Sequence, residues 1–287
     1  MQKFIKTMSQ KPLYSILVAN YNNSKFFQDL LDSINNQTYK NLEILFCDDC
    51  SNDNSLNILK EFAKQDSRIK VLTNSENQGV AFTKDRLIRE CKGEYFGFVD
   101  PDDYLEANAV ETMVKLHLQN PELGLIYSNF YMTDEDKTKI VKYENPKDVE
   151  QSKFLLYGFS PNHFSSFKKE FYNKTEGINL SIKRAIDRDL VLKYEEVAPT
   201  KHIEDYLYYY RINTNSISNN SNSFKEEYWA WICRLAAMKR RCISEEDFFS
   251  EYKYYFASKT CDFSQTKDYK IGNLLLKPFR FVLHLFK

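Results

Sequence analysis

Alternating strand and helix patterns in the first 130 residues constrain the fold more than any other feature of this sequence. Short apolar runs predict strands at residues 13–20, 41–49, 68–73, 94–100 and 123–131. Between them, apolar side chains recur at helical spacing and predict amphipathic helices. Strand–helix alternation of this kind predicts an α/β fold with a mostly parallel sheet flanked by helices.

The rest of the chain is less regular and predicts a second, helical part. Short aromatic-rich patterns indicate a strand and helix over 161–172, a helix over 184–197 and a strand over 202–213. The polar stretch "NTNSISNNSNS" then interrupts the pattern and predicts a boundary. We therefore expect one domain over residues 1–217 and a C-terminal helical extension over 218–287, with helices at 224–241 and about 245–259.

Charge and segment composition exclude several classes of function. Lys and Arg together number 40, as do Asp and Glu, so the formal net charge is zero and no overall field attracts nucleic acid. We therefore expect no nucleic-acid partner. The N-terminal segment lacks the apolar stretch of a signal peptide, and no run of about 18 apolar residues occurs. Both observations predict a cytoplasmic protein.

The stretch "FCDDC" contains two cysteines and two aspartates, and either pair is a candidate for function. Cys47 and Cys50 have the spacing of a zinc or redox motif, but a closed zinc site needs a second pair, and none is evident. A redox pair needs a lowered thiol pKa, whereas the two carboxylates between these thiols raise it. The cysteines are therefore predicted to be inert, which leaves Asp48 and Asp49.

Acidic residues end two of the predicted strands. Asp48 and Asp49 follow the second strand, and Asp100, Asp102 and Asp103 follow the fourth in "FVDPDDYL". Open α/β sheets bind ligands outside the carboxyl ends of their strands. Carboxylates packed this closely repel one another, and Mg²⁺ or Mn²⁺ offsets that repulsion while leaving coordination sites for a diphosphate. The alternative is an acidic turn in which Asp103 caps the next helix.

Four blocks follow one another in an order typical of one enzyme family. They are "SILVANYNNSKFFQDLLDSINNQTYKNLEILFCDDCSND" (15–53), "NQGVAFTKDRLIRECKGEYFGFVDPDDYL" (77–105), "AIDRDLVLK" (185–193) and "YYYRINTNSIS" (208–218). Together they resemble the inverting family 2 glycosyltransferases of bacterial surface-polysaccharide synthesis. The resemblance implies the GT-A fold, a Rossmann-like sheet, and ends near residue 220.

The resemblance implies a role for each residue that matches the family pattern. At the nucleotide, Ala19 and Tyr21 frame the base, Asp49 hydrogen-bonds it, Asn77 is a further contact, and Lys84 lies near the base or the phosphates. Asp49 is also the more ligand-like of its pair, with Asp48 expected to hold the strand end. Cys50 stands where the family often has glycine.

At the reacting centre, the resemblance implies a metal ion and a general base. Asp100 contacts the ribose, or the metal through water, and Asp102 is the direct metal ligand. Asp187 is the general base. Arg211 either neutralises the diphosphate or forms a structural ion pair.

These roles describe a hexosyl- or N-acetylhexosaminyl-transferase. The expected cofactor is Mn²⁺ or Mg²⁺, and the expected donor is a nucleotide-diphosphate sugar, with UDP as the nucleotide. An acceptor hydroxyl, on a glycan or a lipid-linked oligosaccharide, attacks from the opposite face and inverts the anomeric configuration. A positioned carboxylate suffices to take its proton.

Two positions depart from the family pattern. Ile186 replaces a frequent Glu, so Asp189 is an alternative base. Asn213 replaces a histidine and is a poor metal ligand. These departures keep a degenerate sugar-nucleotide-binding or scaffold protein open. A nucleotidyltransferase is a further alternative, although "ANYNNSK" is not its glycine-rich phosphate loop.

Three further features have two interpretations each. His163 either binds the acceptor or product phosphate or is a packed histidine, whereas His117 lies on an apolar helical face and is predicted to be core. The segment 270–287 mixes apolar and basic residues. It either contacts the inner face of the membrane, where a lipid-linked acceptor lies, or packs on the domain or on a second copy in a homodimer.

Overall fold

The computed structural model describes residues 11–144, 161, 163–212, 223–248 and 250. The chain divides into two compact units, Met1–Cys242 and Ile243–Lys287, and every element named below belongs to the first unit. Asn213, the segment 270–287 and most of the helix expected at 245–259 lie outside the described residues. The domain boundary expected at residue 217 also lies there and stays a prediction.

Strands and helices alternate through the first half of the chain as the sequence predicts. The strands are β1 (Tyr14–Asn20), β2 (Leu42–Asp48), β3 (Ile69–Thr73), β4 (Tyr95–Phe98), β5 (Tyr104–Leu105), β6 (Leu125–Thr133), β7 (Ile140–Tyr143), β8 (Ser165–Lys168) and β9 (Thr200–Arg211). The helices are α1 (Phe27–Asn35), α2 (Ser55–Gln65), α3 (Val80–Glu90), α4 (Ala109–Gln119), α5 (Lys169–Tyr172), α6 (Ile186–Glu195) and α7 (Ser223–Arg240). No described helix is both long and apolar enough to cross a membrane.

The nine described strands form one sheet in the order β3-β2-β1-β4-β8-β6-β9-β5, with β7 paired to β6. Strands β1 to β4 are parallel to one another, and β9 is parallel to β6. Strands β5, β7 and β8 pair antiparallel. The predicted α/β fold is confirmed, with one parallel half and one mixed half.

Helices cover both faces of the parallel half. On one face, Ile16 and Ile44 share a buried cluster with apolar residues of α1, α2 and α4. Because side chains alternate along a strand, Leu17 and Leu45 point to the other face. They are also fully buried, and α3 contacts β1 and β2 there. Burial on both faces explains why these strands are continuous apolar runs.

The direction of strand addition reverses at β1, and this reversal fixes where a ligand can bind. β1 has β2 on one side and β4 on the other. Helix α1, which follows β1, and helix α3, which precedes β4, lie on opposite faces of the sheet, and a crevice opens at the carboxyl ends of these strands. Asn20, Asp48 and Asp100 stand at or just beyond those ends. The acidic motifs singled out in the sequence therefore meet at one edge of the sheet.

Candidate active site

The loops after β1 and β2 are held together by polar side chains. Asp48 accepts hydrogen bonds from Asn20 Nδ2 at 2.8 Å, from Ser51 Oγ at 2.6 Å and from the Ser51 backbone N–H at 3.0 Å. Asn22 donates its own N–H to Ser51 Oγ at 3.0 Å. Asp48 therefore supports the rim of the crevice, as expected, and its carboxylate is committed to the protein.

The two cysteines of "FCDDC" have different environments, and neither has a metal-like partner set. Cys47 is buried on β2, and desolvation raises the pKa of its thiol to about 11. A thiol with a raised pKa is a poor nucleophile and metal ligand. Cys50 is exposed and has a φ of +60°, in the left-handed region that favours glycine. The left-handed backbone of Cys50 turns the loop, so this residue contributes its backbone conformation and not its thiol.

Asp49 is buried beside the N-terminus of α3. Its Oδ1 accepts from the Gln78 backbone N–H at 2.9 Å and from Asn74 Nδ2 at 2.7 Å, and its Oδ2 accepts from the Gly79 N–H at 2.8 Å. Each carboxylate oxygen has two lone pairs, so Oδ2 retains one for a ligand. Sequence reasoning missed Asn74, although it follows β3 at the same sheet edge.

The other residues predicted to contact the nucleotide line the rim of this crevice. Tyr21 and Asn77 are exposed, and Ala19 is half-buried near the end of β1. They stand on the loops after β1 and β3, on either side of Asp49 in the strand order. An exposed aromatic ring beside a buried acceptor suits a flat, hydrogen-bonding base.

Asp103 anchors the acidic loop to β9 and does not cap a helix. Its Oδ2 accepts from the Tyr208 hydroxyl at 2.7 Å and its Oδ1 from the Arg211 N–H at 2.7 Å. Burial, followed by the negative charges of Asp102 and Asp100, raises the pKa of Asp103 well above its usual range. The alternative of a capping turn is therefore wrong, because both oxygens bind another strand.

Three ligand atoms of Asp100, Asp103 and His163 lie within 4.8 Å of one another. His163 Nε2 is 3.5 Å from Asp100 Oδ2, and the imidazole stacks on Tyr208 with ring centroids 4.4 Å apart. Two carboxylates and an imidazole match the ligand preferences of Mn²⁺, and the carboxylates also suit Mg²⁺. The like charges that raise the pKa of Asp103 are those a cation would offset, so the residues present fit a divalent ion.

Asp102 differs from the role the resemblance implies for it. Its half-buried side chain is not part of the three-residue group found among the described residues, and its backbone carbonyl accepts from Arg211 Nε at 2.8 Å. Its place as the direct metal ligand stays a prediction. The structure adds His163 beside Asp100, on the segment that precedes β8.

Arg211 forms an ion pair with Asp29, which is the second of the two roles that the sequence allows for it. Nη2 donates to Asp29 Oδ2 at 2.7 Å, Nη1 to the Glu135 carbonyl at 2.8 Å, and Nε to the Asp102 carbonyl. The guanidinium side chain is 3% exposed. Three of its five N–H donors are bound to protein in a buried position, which favours the structural role, and the diphosphate contact stays a prediction. In this arrangement the arginine fixes the acidic loop.

Asp187 and Lys84 meet in the site from two separate helices. Lys84 Nζ donates to Asp187 Oδ1 at 2.7 Å. Lys84 is 5% exposed and Asp187 is 54% exposed, so the carboxylate faces outward. Desolvation acts to raise the pKa of Asp187, but the charge and hydrogen bond of Lys84 outweigh it and lower that pKa. Asp187 is therefore ionised and accessible, as a general base must be.

Asp189, the alternative base, has a different environment on the same helix. It is 1% exposed and its Oδ2 is 2.7 Å from Lys193 Nζ, which also donates to the Gly177 carbonyl. A buried, ion-paired carboxylate has no access to a substrate hydroxyl. One turn of α6 thus directs Asp187 toward the site and Asp189 toward the interior.

A pocket opens in front of Asp187. It is lined by Phe98, Pro161, His163, Ser165, Phe167, Asp187 and Val191. It therefore joins the end of β4, the start of β8 and α6, next to the acidic loop. Apolar walls with a few convergent polar groups are typical of ligand sites.

Sequence comparison assigns more than half of the chain to one family. The family model described as "Glycosyl transferase family 2" matches residues 15–184. The chondroitin synthase of Pasteurella multocida (strain Pm70) is 29% identical over 263 residues, covering 90% of this chain and 27% of that protein. The chondroitin synthase of Escherichia coli is 34% identical over 202 residues, covering 70% and 29%. The chain thus spans less than a third of these two relatives.

A relative of more similar length carries a more specific name. It is the UDP-Glc:alpha-D-GlcNAc-diphosphoundecaprenol beta-1,3-glucosyltransferase WfgD of Escherichia coli, 28% identical over 239 residues. The match covers 76% of this chain and 84% of WfgD. The name of WfgD specifies a nucleotide-sugar donor and a lipid-linked acceptor for that protein.

Two solved structures share the fold at low identity. The S. aureus TarS 1–349 complex with UDP-GlcNAc has a TM-score of 0.57 and 21% identity, covering 71% of this chain and 59% of that one. The mannosyltransferase PcManGT of Pyrobaculum calidifontis, in complex with GDP-Man and Mn²⁺, has a TM-score of 0.60 and 14% identity, covering 98% and 87%. Both likenesses establish the GT-A architecture.

Proposed function

The chain belongs to glycosyltransferase family 2, and from that premise we propose that it transfers a sugar from a nucleotide-diphosphate donor to an acceptor hydroxyl with inversion. The observation that carries the proposal is the position of Asp187. Its outward-facing carboxylate lies in the pocket that adjoins the acidic loop after β4. A base and a diphosphate site in one crevice are what this reaction requires.

The proposed donor site lies in the crevice beside β1, and UDP is the proposed nucleotide. Tyr21 offers an exposed ring and Asp49 an acceptor oxygen, which together suit the face and the N–H of a uracil. Ala19 and Asn77 complete the rim. The UDP-GlcNAc in the TarS complex supports the same nucleotide here, whereas the GDP-Man in PcManGT makes a GDP-sugar the competing donor to test.

A divalent ion, Mn²⁺ or Mg²⁺, is proposed to be held by the acidic loop, with Asp102 and Asp100 as carboxylate ligands and His163 as an imidazole ligand. When bound, the ion supplies a Lewis acid that stabilises the charge on the departing diphosphate. Asp103 is proposed to support the loop, because both of its oxygens bind β9. Arg211 is proposed to support it in the same way.

In the proposed reaction, the acceptor oxygen bonds to the anomeric carbon as the bond to the diphosphate breaks. Asp187 takes the hydroxyl proton, so the acceptor becomes a stronger nucleophile as it attacks. The apolar walls at Phe98, Phe167 and Val191 limit water beside that carboxylate. No covalent intermediate with the enzyme is needed.

The proposed setting is cell-surface polysaccharide assembly at the inner face of the membrane, on a glycan or lipid-linked acceptor. The activities named for the chondroitin synthases and WfgD support this setting. The segment 270–287 is the proposed membrane contact. Vesicle flotation of the full chain is compared with that of a truncation after Asp268. Equal flotation of the two proteins would exclude the segment as the membrane contact. If the full chain is also a homodimer, equal flotation would favour packing of the segment against the second copy.

The test of the function is a panel of UDP- and GDP-sugars with Mn²⁺, followed by hydrolysis and transfer assays. We expect one donor to release its nucleoside diphosphate, and Asp187→Asn and Asp102→Asn each to lower the rate by about 10²–10⁴-fold. Asp189→Asn is the matched control for the base. Because Asp189 forms a buried ion pair with Lys193, this variant should lower the free energy of unfolding and not the rate of the chemical step.

Three results would contradict the proposal. A wild-type protein that binds UDP but turns over no donor would favour a binding or scaffold protein, and pyrophosphate release would favour a nucleotidyltransferase. An Asp187→Asn variant of full activity would remove the assigned base.

A further inference from the structure

Lys84 is a buried cation with an exposed partner. Its side chain is 5% exposed, and its ammonium lies 4.8 Å from the centroid of the Phe98 ring, on the wall of the pocket. The ammonium donates a hydrogen bond to Asp187 Oδ1. Burying an ammonium costs free energy unless it is well paired, so this arrangement calls for an explanation.

Stability does not explain the pair. A pair with one half-exposed partner contributes little, because water screens the attraction and the exposed side chain loses conformational entropy. The pair of Lys193 with Asp189 provides the contrast: both partners are buried, and the lysine also binds the Gly177 carbonyl. That pair is built like a structural one, whereas the Lys84–Asp187 pair presents its carboxylate to the pocket.

Four charged or titratable groups face one another here, each from a different element. Lys84 comes from α3, Asp100 from the loop after β4, His163 from the segment before β8, and Asp187 from α6. Desolvation acts to lower the pKa of Lys84, but Asp187 and Asp100 outweigh it and raise that pKa. The lysine therefore stays charged.

We propose that Lys84 is a positioning residue that keeps the carboxylate of Asp187 ionised and oriented toward the acceptor, and that it is not a nucleotide contact. The inference rests on the proposed function. Lys84 occupies Oδ1 of Asp187 and leaves Oδ2 to receive the acceptor proton. The nucleotide role implied by the family resemblance gives the opposite prediction for substrate binding, so the two can be separated.

The test is Lys84→Met, which leaves an unbranched apolar side chain beside Phe98 and removes the charge. We expect kcat to fall at least about tenfold while the Kd for UDP changes less than about twofold, because only the base loses its partner. The acidic limb of the pH profile of kcat should move to higher pH, since the pKa of Asp187 rises without Lys84. Lys84→Met added to Asp187→Asn should lower the rate no further.

Lys70→Met is the matched control. Lys70 pairs with Glu90 at 2.8 Å on the surface, and both side chains are about half exposed. The variant also removes one lysine charge, from strand β3, which precedes the helix that carries Lys84. It should leave kcat, the pH profile of kcat and the Kd for UDP unchanged.

Two readouts keep the inference separate from the proposed function. NMR titration of the Asp187 carboxyl, assigned with Asp187→Asn, follows its pKa in wild type and Lys84→Met without any turnover. A wild type without transfer activity would defeat the proposed function, yet the titration would still decide whether Lys84 controls Asp187. An unchanged Asp187 pKa, or a tenfold loss of UDP affinity at constant kcat, would overturn the inference.

Discussion

The assignment of Arg211 as a structural residue gives a sharp prediction for Arg211→Met. The buried guanidinium binds Asp29, the Glu135 carbonyl and the Asp102 carbonyl. Methionine fills much of the same volume but donates no hydrogen bond. The variant therefore removes three hydrogen bonds, one of them to a carboxylate, and loosens the acidic loop from β9.

The magnitude follows from the environment of Asp29. Breaking a buried ion pair by removing one partner typically costs about 3–5 kcal/mol. Asp29 is 30% exposed and keeps Lys137 as a second cation, so we expect the lower end, about 3 kcal/mol of the free energy of unfolding. Urea unfolding followed by circular dichroism measures this difference at pH 7.

The cost should also depend on pH with a defined sign. Desolvation acts to raise the pKa of Asp29, but Lys137 and Arg211 outweigh it and hold the pKa below 3.8. Stability from a lowered carboxyl pKa is present above the unfolded value and is lost as pH falls through the folded value. The difference between wild type and Arg211→Met should therefore shrink below about pH 4.

Arg89→Met is the control for this prediction. Arg89 pairs with Asp85 at 2.7 Å, one helical turn away, but its side chain is 73% exposed. Water screens a pair whose cation is this exposed, and the buried Asp85 keeps a hydrogen bond from the Tyr172 hydroxyl at 2.9 Å, so we expect Arg89→Met to cost at most about 1 kcal/mol. If Arg211→Met lowers the free energy of unfolding no more than Arg89→Met does, but weakens UDP binding tenfold, then Arg211 contacts the diphosphate and the structural role assigned to it is wrong.

Two further predictions concern stability. Cys50→Gly should raise the free energy of unfolding by about 0.5–1 kcal/mol, because glycine accepts the φ of +60°, whereas Cys50→Ala, which keeps a Cβ, should bring no gain. His117 is buried and desolvation lowers its pKa from 6.5 to about 3, so wild-type stability should fall by up to about 1.4 kcal/mol per pH unit between those values as pH drops. His117→Gln should remove this dependence in urea titrations at several pH values, and an unchanged slope would show that another group is responsible.

The sequence predicts the parallel half of the sheet and the position of the site within it. Local signals suffice there, because β1, β2 and β4 are buried apolar runs and a helix follows each of β1, β2 and β3. The carboxyl ends of such strands share one edge, so Asp48, Asp49 and Asp100 are brought together by topology alone. His117 also follows the prediction, since an apolar helical face indicates burial.

The antiparallel additions and the side-chain partners were beyond local reasoning. Strands β5 and β8 are short and pair with segments far away in the chain, whereas β7 forms a local hairpin with β6 but is exposed along its whole length. The same holds for Lys84 and Asp187, which are 103 positions apart, and for Arg211 and Asp29, which are 182 apart. Contacts of this kind depend on how helices and strands dock, and spacing within a motif contains no information about docking.

The acidic loop shows what structure adds to a motif. In the sequence, the three carboxylates of "DPDD" differ only in their position, and the family resemblance predicts Asp102 as the metal ligand from its position. In the fold, β9 binds both oxygens of Asp103 through Tyr208 and Arg211, while Asp100 lies beside His163. Burial and partners therefore divide three equivalent side chains into one that anchors the loop and two that remain at the site. The same division separates Asp189, which is buried and paired with Lys193, from Asp187, whose carboxylate is exposed, so each of these two acidic motifs combines a buried support with a more accessible carboxylate.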